Sequence, residues 1–251
     1  MNTHKISRSA TRRGPLALAR DAALALSVLG LAGAAPALTV VAESSFTTGN
    51  DGWGIGTLFA AEIITTPVLW QATGGDPGGY IRNSESWTHI AFEAPDYFLG
   101  DRSALFLEGS IRFDRWADIE VPGTTSGGEV MLVISNGSLN LQFVTGAPFP
   151  AWSDGNQVVF DATHGWEVAP TTFAGQGGRG VPATNEQMLS VLSNLTAIRF
   201  PARFVEGGVA TGTVALDSVQ LLSPVPEPHA ALLMAVGAAL LAARRRRVDR
   251  A

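Results

Sequence analysis

Glu129-Val130-Met131-Leu132-Val133-Ile134-Ser135-Asn136-Gly137-Ser138-Leu139-Asn140-Leu141-Gln142-Phe143-Val144 is the stretch that decides the fold. Two apolar runs, Glu129–Ser135 and Ser138–Val144, flank Asn136-Gly137. A tight type I′ turn needs positive φ at both central residues, which Asn-Gly tolerates, so the stretch reads as a β-hairpin. Leu139, Leu141 and Phe143 fall on alternate positions, the period of a strand with one buried face. Upstream, Leu105, Leu107, Gly109, Ile111 and Phe113 alternate in the same way. Trp87–Phe92, Gln157–Asp161, Thr196–Phe204 and Thr213–Leu222 are further strand candidates. Short strands between Gly and Pro turns predict an all-β sandwich or barrel. One helix is expected: Thr184 caps it, Gln187 stands three residues on, and Met188, Leu192 and Leu195 line one face.

Composition sets the limits. The 251 residues are 46% hydrophobic and only 16% charged, below the ~25% charged of an ordinary domain. A disordered polymer is excluded, because it needs low hydrophobicity and high charge. The absence of cysteine excludes disulfide staples, Cys-ligated metal and a thiol nucleophile. The charges are segregated. Between residues 43 and 223 there are 7 basic and 19 acidic residues, a net of −12, against −5 for the whole chain. A body this acidic repels nucleic acid and anionic lipid. The other basic residues cluster at the two ends, beside apolar runs.

The N-terminal end has a basic region over residues 1–20, an apolar stretch Ala22–Ala34, and Ala35-Pro36-Ala37. That order predicts a secretory signal peptide over 1–37, removed by signal peptidase after Ala37. Arg12-Arg13 leaves the twin-arginine route open beside the general one. The C-terminal end reads Val225-Pro226-Glu227-Pro228, then an apolar run Ala230–Ala243, then Arg244, Arg245, Arg246 and Arg247. Fourteen helical residues span about 21 Å, short of the ~30 Å of a bilayer core. Snorkelling arginines and local thinning cover part of the deficit, and the positive-inside rule keeps the arginines cytoplasmic.

Segment 224–251 resembles a PEP-CTERM sorting signal: Pro-Glu-Pro motif, apolar transmembrane helix, Arg cluster. The resemblance implies an exosortase-type sorting enzyme as partner, with Glu227 as a recognition residue rather than a catalytic one. It also implies a Gram-negative producer and delivery to the cell surface or extracellular matrix. A permanent tail anchor is the competing reading.

Residues 43–223 carry a second resemblance. Phe46, Gly52-Trp53, Pro77-Gly78-Gly79-Tyr80-Ile81 and Ala94-Pro95-Asp96-Tyr97-Phe98-Leu99-Gly100-Asp101 resemble the start of a laminin B (laminin IV) domain. Val130–Ile134, Trp152, Trp166, Leu189–Leu192 and Leu216–Leu221 follow in order. The resemblance implies a jelly-roll-like β-sandwich related to carbohydrate-binding modules, extracellular and non-catalytic. The EGF-like modules that flank the animal domain are absent from the sequence.

Candidate chemistry is sparse. Related sandwiches hold a structural Ca²⁺ on an Asp of the last strand, which implies Asp217 here. Glu43, ahead of the first strand, is its expected neighbour, with calcium needing six to eight oxygens. Among six tryptophans most are expected in the core, and Trp70 and Trp116 are the candidates for a glycan platform. Asp118 and Glu120 alternate on one strand face, a spacing open to a glycosidase pair and equally explained by an exposed polar strand face. His89 and His164 have no metal-ligand spacing, and Gly175–Gly180 lacks the Lys of a phosphate loop. The expected function is non-catalytic binding of extracellular polysaccharide or a matrix protein. The alternatives are a structural spacer without ligand and a glycan-active hydrolase.

Overall fold

The computed structural model describes residues 37–58, 67–75, 78–83, 90–120, 129–145, 152–169, 180–203 and 211–225. The strands are β1 (Leu38–Ser44), β2 (Gly54–Thr57), β3 (Leu69–Gly75), β4 (Gly78–Asn83), β5 (Ile90–Glu93), β6 (Ser110–Glu120) and β7 (Glu129–Ser135). They continue with β8 (Asn140–Thr145), β9 (Ser153–Val159), β10 (Trp166–Val168), β11 (Val181–Pro182), β12 (Ala197–Arg203) and β13 (Thr211–Pro224), and helix α1 covers Asn185–Leu192. All pairings are antiparallel. One sheet runs β3-β4-β13-β6-β9 with β1 also on β13; the other runs β11-β10-β8-β7-β12-β5-β2. The expected all-β sandwich with one short helix is therefore the fold.

The two inner faces meet over a single large apolar cluster. Trp53, 2% exposed, stands at its centre, edge-on to Phe46 (6.0 Å) and Phe98 (5.6 Å) and tilted against Phe200 (5.8 Å). Fully burying one such side chain is worth about 1.5–3 kcal/mol, so a cluster of this size carries a domain that has no disulfide. The indole N–H donates to Ser44 Oγ at 2.8 Å, which satisfies the one polar atom of the ring. Gly79 is fixed by packing: a Cβ there would lie 2.2 Å from the Phe46 carbonyl oxygen.

The helix forms as its sequence dictates. Gln187 N–H donates to Thr184 Oγ1 (3.3 Å), Thr184 N–H donates to Gln187 Oε1 (2.9 Å), and Met188, Val191 and Leu192 are buried. Leu195 is buried too, but past the helix end.

Two local expectations are corrected. The hairpin is present, yet its loop is Asn136–Leu139 rather than a two-residue type I′ turn. Gly137 has φ 87°, while Asn136 is not at positive φ; its Oδ1 accepts from Ser138 N–H (3.0 Å) and Leu139 N–H (2.8 Å). The side chain replaces the backbone bond a tighter turn would use. The alternation from Leu105 to Phe113 is not one strand. Ser103–Leu105 is a 3₁₀ turn, Leu107 has φ 74° and is exposed, and Gly109 N–H closes back onto the Leu105 carbonyl at 2.8 Å. Only Ile111 and Phe113 belong to β6.

Candidate functional site

The first and last strands pair, as expected, and β1 begins earlier than Glu43, at Leu38. The register separates the two residues expected to share calcium. Glu43 stands opposite Gln220, and its Oε1 accepts from Gln220 Nε2 at 2.7 Å. Asp217 is fully buried, stands opposite Asp114 of β6, and its Oδ1 accepts from Ser218 N–H at 2.7 Å. A register shift between Asp217 and Gln220, with Ser218 at φ 49°, lies between them. No cluster of three or more His, Asp or Glu poised for a metal occurs among the described residues. Glu43 and Asp217 therefore stand at separate pairings of β13, each with a hydrogen-bond partner of its own.

The two platform tryptophans also part company. Trp70 on edge strand β3 stands opposite core residue Ile81, and its indole N–H is spent on the Phe46 carbonyl at 2.7 Å. It is 37% exposed, a cover over the sandwich rim. Trp116 points the other way. Its neighbour Arg115 is 1% exposed and donates to the Pro201 carbonyl of the facing sheet, so alternation turns Trp116 to the outer face. There it stacks on Trp152 (6.5 Å, 29°), and Trp152 meets Tyr80 edge-on (5.6 Å, 82°). Trp152 and Tyr80 carry no pattern of their own as site residues, since the strands that bring them together are far apart in sequence.

The register orders the rest of this face. Arg82, Ala215 and Trp116 form one cross-strand row, and Glu43, Gln220, Arg112 and Gln157 another. Between them Asp217 faces Asp114, whose Oδ1 accepts from Gly155 N–H. Ala215 is fully buried although the inward positions of β13 are Val214 and Leu216, so the large flanking side chains cover it. The face thus joins three half-buried rings to a ladder of amide, guanidinium and carboxylate groups. Rings accept the apolar face of a sugar, and the ladder supplies donors and acceptors for hydroxyls.

A depression of about 580 Å³ beside this face shares Glu43 with it and is otherwise lined by Ser45, Asp51 and Tyr97. Its groups are already engaged. Asp51 Oδ2 accepts from Phe46 N–H (2.8 Å), and Tyr97 Oη bonds Ser44 Oγ (2.6 Å) and the Asp51 carbonyl (3.2 Å). Burial raises the Tyr97 phenol above its ordinary range; the Ser44 bond opposes this and the Asp51 carboxylate adds to it. A second groove, about 550 Å³, lies between Trp166, Pro182 and the start of α1. His164, outside its lining, pairs with Asp161 (3.1 Å) and is open to solvent.

Asp118 and Glu120 lie on β6 opposite Thr213 and Thr211, but their side chains are outside the described residues. Residues 1–36, expected to be a signal peptide, also lie outside the described residues, as do Trp87, His89, most of Gly175–Gly180, Pro226, Glu227, Pro228 and Arg244–Arg247. Val225 is described, and its N–H donates to the Ala37 carbonyl at 2.7 Å. No helix among the described residues is long and apolar enough to cross a membrane.

The fold is that of a two-sheet antiparallel sandwich module. The chain belongs to the laminin B (domain IV) family, whose profile matches residues 91–236. Among solved structures it is similar to the L4b domain of human laminin alpha-2, at 9% identity and TM-score 0.52, over 74% of this chain and 98% of that one. A conserved carbohydrate esterase from the Shiga toxin-encoding bacteriophage phi24B aligns at 14% identity and TM-score 0.34, over 75% of this chain and 100% of that one. The cellulose induced protein Cip1 aligns at 14% and 0.36, over 72% and 96%. No curated protein matches the chain.

Proposed function

We propose that this protein is an exported, non-catalytic module that binds extracellular polysaccharide through the outer face of the β3-β4-β13-β6-β9 sheet. The observation that carries the reading is the ring group Trp116, Trp152 and Tyr80 beside the ladder Glu43, Gln220, Arg112 and Gln157. A polysaccharide chain stacks on the rings and exchanges hydroxyl hydrogen bonds with the ladder. Its ends supply the address: a signal segment up to Ala37, and the Val225-Pro226-Glu227-Pro228 motif with its apolar run and Arg244–Arg247, read by an exosortase-type enzyme. The destination is the cell surface or extracellular matrix of a Gram-negative bacterium.

Catalysis is not favoured, because Glu43 and Asp51, the acids of the open depression, are each bonded within the fold, to Gln220 and to Phe46. Affinity electrophoresis through gels holding the producer's own polysaccharide tests the binding. Retardation is expected; uniform free migration across a panel of neutral and acidic polymers removes the ligand and leaves a structural spacer. Mass spectrometry of the mature protein tests the address, with trimming expected after Ala37 and near Pro226.

A further inference from the structure

The two ends of the sandwich strands meet in a ribbon that overhangs the fold. Strand β6 stops pairing with β13 at Ser110–Leu222, but β1 and β13 continue through Thr39–Ser223 and Leu38–Pro224 to the Val225–Ala37 hydrogen bond. Leu38 on the overhang is 41% exposed, and Val40 (46%) and Val41 (43%) adjoin it on β1, beginning at the Val40–Leu222 pair where β6 ends. Val41 is the extra residue of a register shift between Val40 and Ala42, so the bulge turns a second valine to solvent instead of folding it inward. The strand segment Leu38-Thr39-Val40-Val41-Ala42 has no charge and no proline, the usual guards of an open edge.

The sequence beyond the overhang says what covers it. On the C-terminal side the apolar run begins at Ala230, five residues past Val225. A chain of five residues reaches at most about 17 Å. Whenever that run is inserted, the overhang is therefore tethered within about 17 Å of the hydrocarbon. An acidic body would otherwise be repelled from an anionic bilayer, and the overhang presents it with uncharged side chains.

We infer that the β1–β13 overhang is a membrane-docking surface: Leu38, Val40 and Val41 seat in the interface of the bilayer that holds the apolar C-terminal run. This rests on the export reading above, at the stage before trimming near Pro226, while the apolar run still holds the chain. It adds an orientation, with the ribbon toward lipid and the strands rising from it, so that the ring-bearing outer face stands clear of the surface.

The test uses the chain left after removal of residues 1–37, with its C-terminal run intact; it has no native cysteine. Val41→Cys, Leu38→Cys and, as a control on exposed β9, Asp154→Cys are labelled with a polarity-sensitive fluorophore. Each is reconstituted into phosphatidylcholine vesicles doped with a nitroxide lipid, after its melting curve is matched to the parent. Blue-shifted emission and several-fold stronger nitroxide quenching at positions 41 and 38 than at 154 are expected. Vesicle-bound protein whose labels at 41 and 38 match 154, and are quenched by aqueous iodide instead, overturns the docking and leaves the anchor standing. Protein that does not float with the vesicles overturns both.

Discussion

Replacing Trp152 by alanine separates a binding surface from a packing accident. The ring meets Trp116 at 6.5 Å and Tyr80 at 5.6 Å, so the truncation removes two aromatic contacts. Each is worth about 0.5–1.5 kcal/mol beyond its area, giving a loss of about 1–3 kcal/mol of stability. In a domain of this size each kcal/mol lowers Tm by about 2–4 °C, so the variant stays folded at room temperature. Binding falls further than stability alone requires, because the ring is also the ligand's stacking surface. If that stacking is worth at least ~1 kcal/mol, affinity drops about fivefold or more. The assay is affinity electrophoresis on whichever polysaccharide retards the parent, with Trp70→Ala as the matched control. Trp70 loses its bond to the Phe46 carbonyl and so loses stability, but it stands on the opposite side of the sheet. Folded Trp152→Ala that migrates with the parent, or Trp70→Ala that loses binding as severely, refutes the assignment of the ligand to the outer face.

Other perturbations have defined outcomes. Arg199→Ala removes a guanidinium that contacts Glu93 Oε1 through Nη2 (2.9 Å) and Nε (3.2 Å). Because the Glu93 side chain is 35% exposed, the loss is about 1–3 kcal/mol rather than that of a sealed pair; an unmoved urea midpoint would show that the pair adds nothing. Asp161 is held below the ordinary aspartate range, first by the Thr163 backbone N–H and also by His164. Its contribution is full above about pH 4 and is lost as pH falls through the lowered folded value, so Asp161→Asn flattens part of the acid limb of the stability curve. An identical acid limb in the variant would contradict this. With Glu43 bonded to Gln220 and Asp217 to Ser218, excess EDTA leaves the melting midpoint unchanged; a fall of several degrees would restore calcium to this edge.

The sequence makes the architecture legible where local chemistry and tertiary packing agree. The Thr184–Gln187 capping box and the Asn136-Gly137 hairpin are both encoded by residues that bond within a few positions. The Leu105–Phe113 alternation misleads because period alone cannot see that Gly109 folds back on Leu105 while Leu107 is bound to the Phe160 carbonyl. The candidate face is legible in one residue out of three. Trp116 sits on a recognisable strand, but its partners come from β4 and from just ahead of β9, and only the pairing order of the sheet unites them. Asp217 and Glu43 show the converse: adjacent strands are predictable from their being first and last, whereas a register shift at Ser218 is not.

Strand β13 pairs with β1, β4 and β6, which makes the last strand of the sandwich the spine of its sheet. None of those three earlier strands can acquire this neighbour until residues 211–224 have emerged. Contacts that far apart in sequence close slowly, and a nascent chain lacking them has no finished sheet to resist unfolding. A chain that ends short of residue 211 therefore lacks the spine of this sheet altogether.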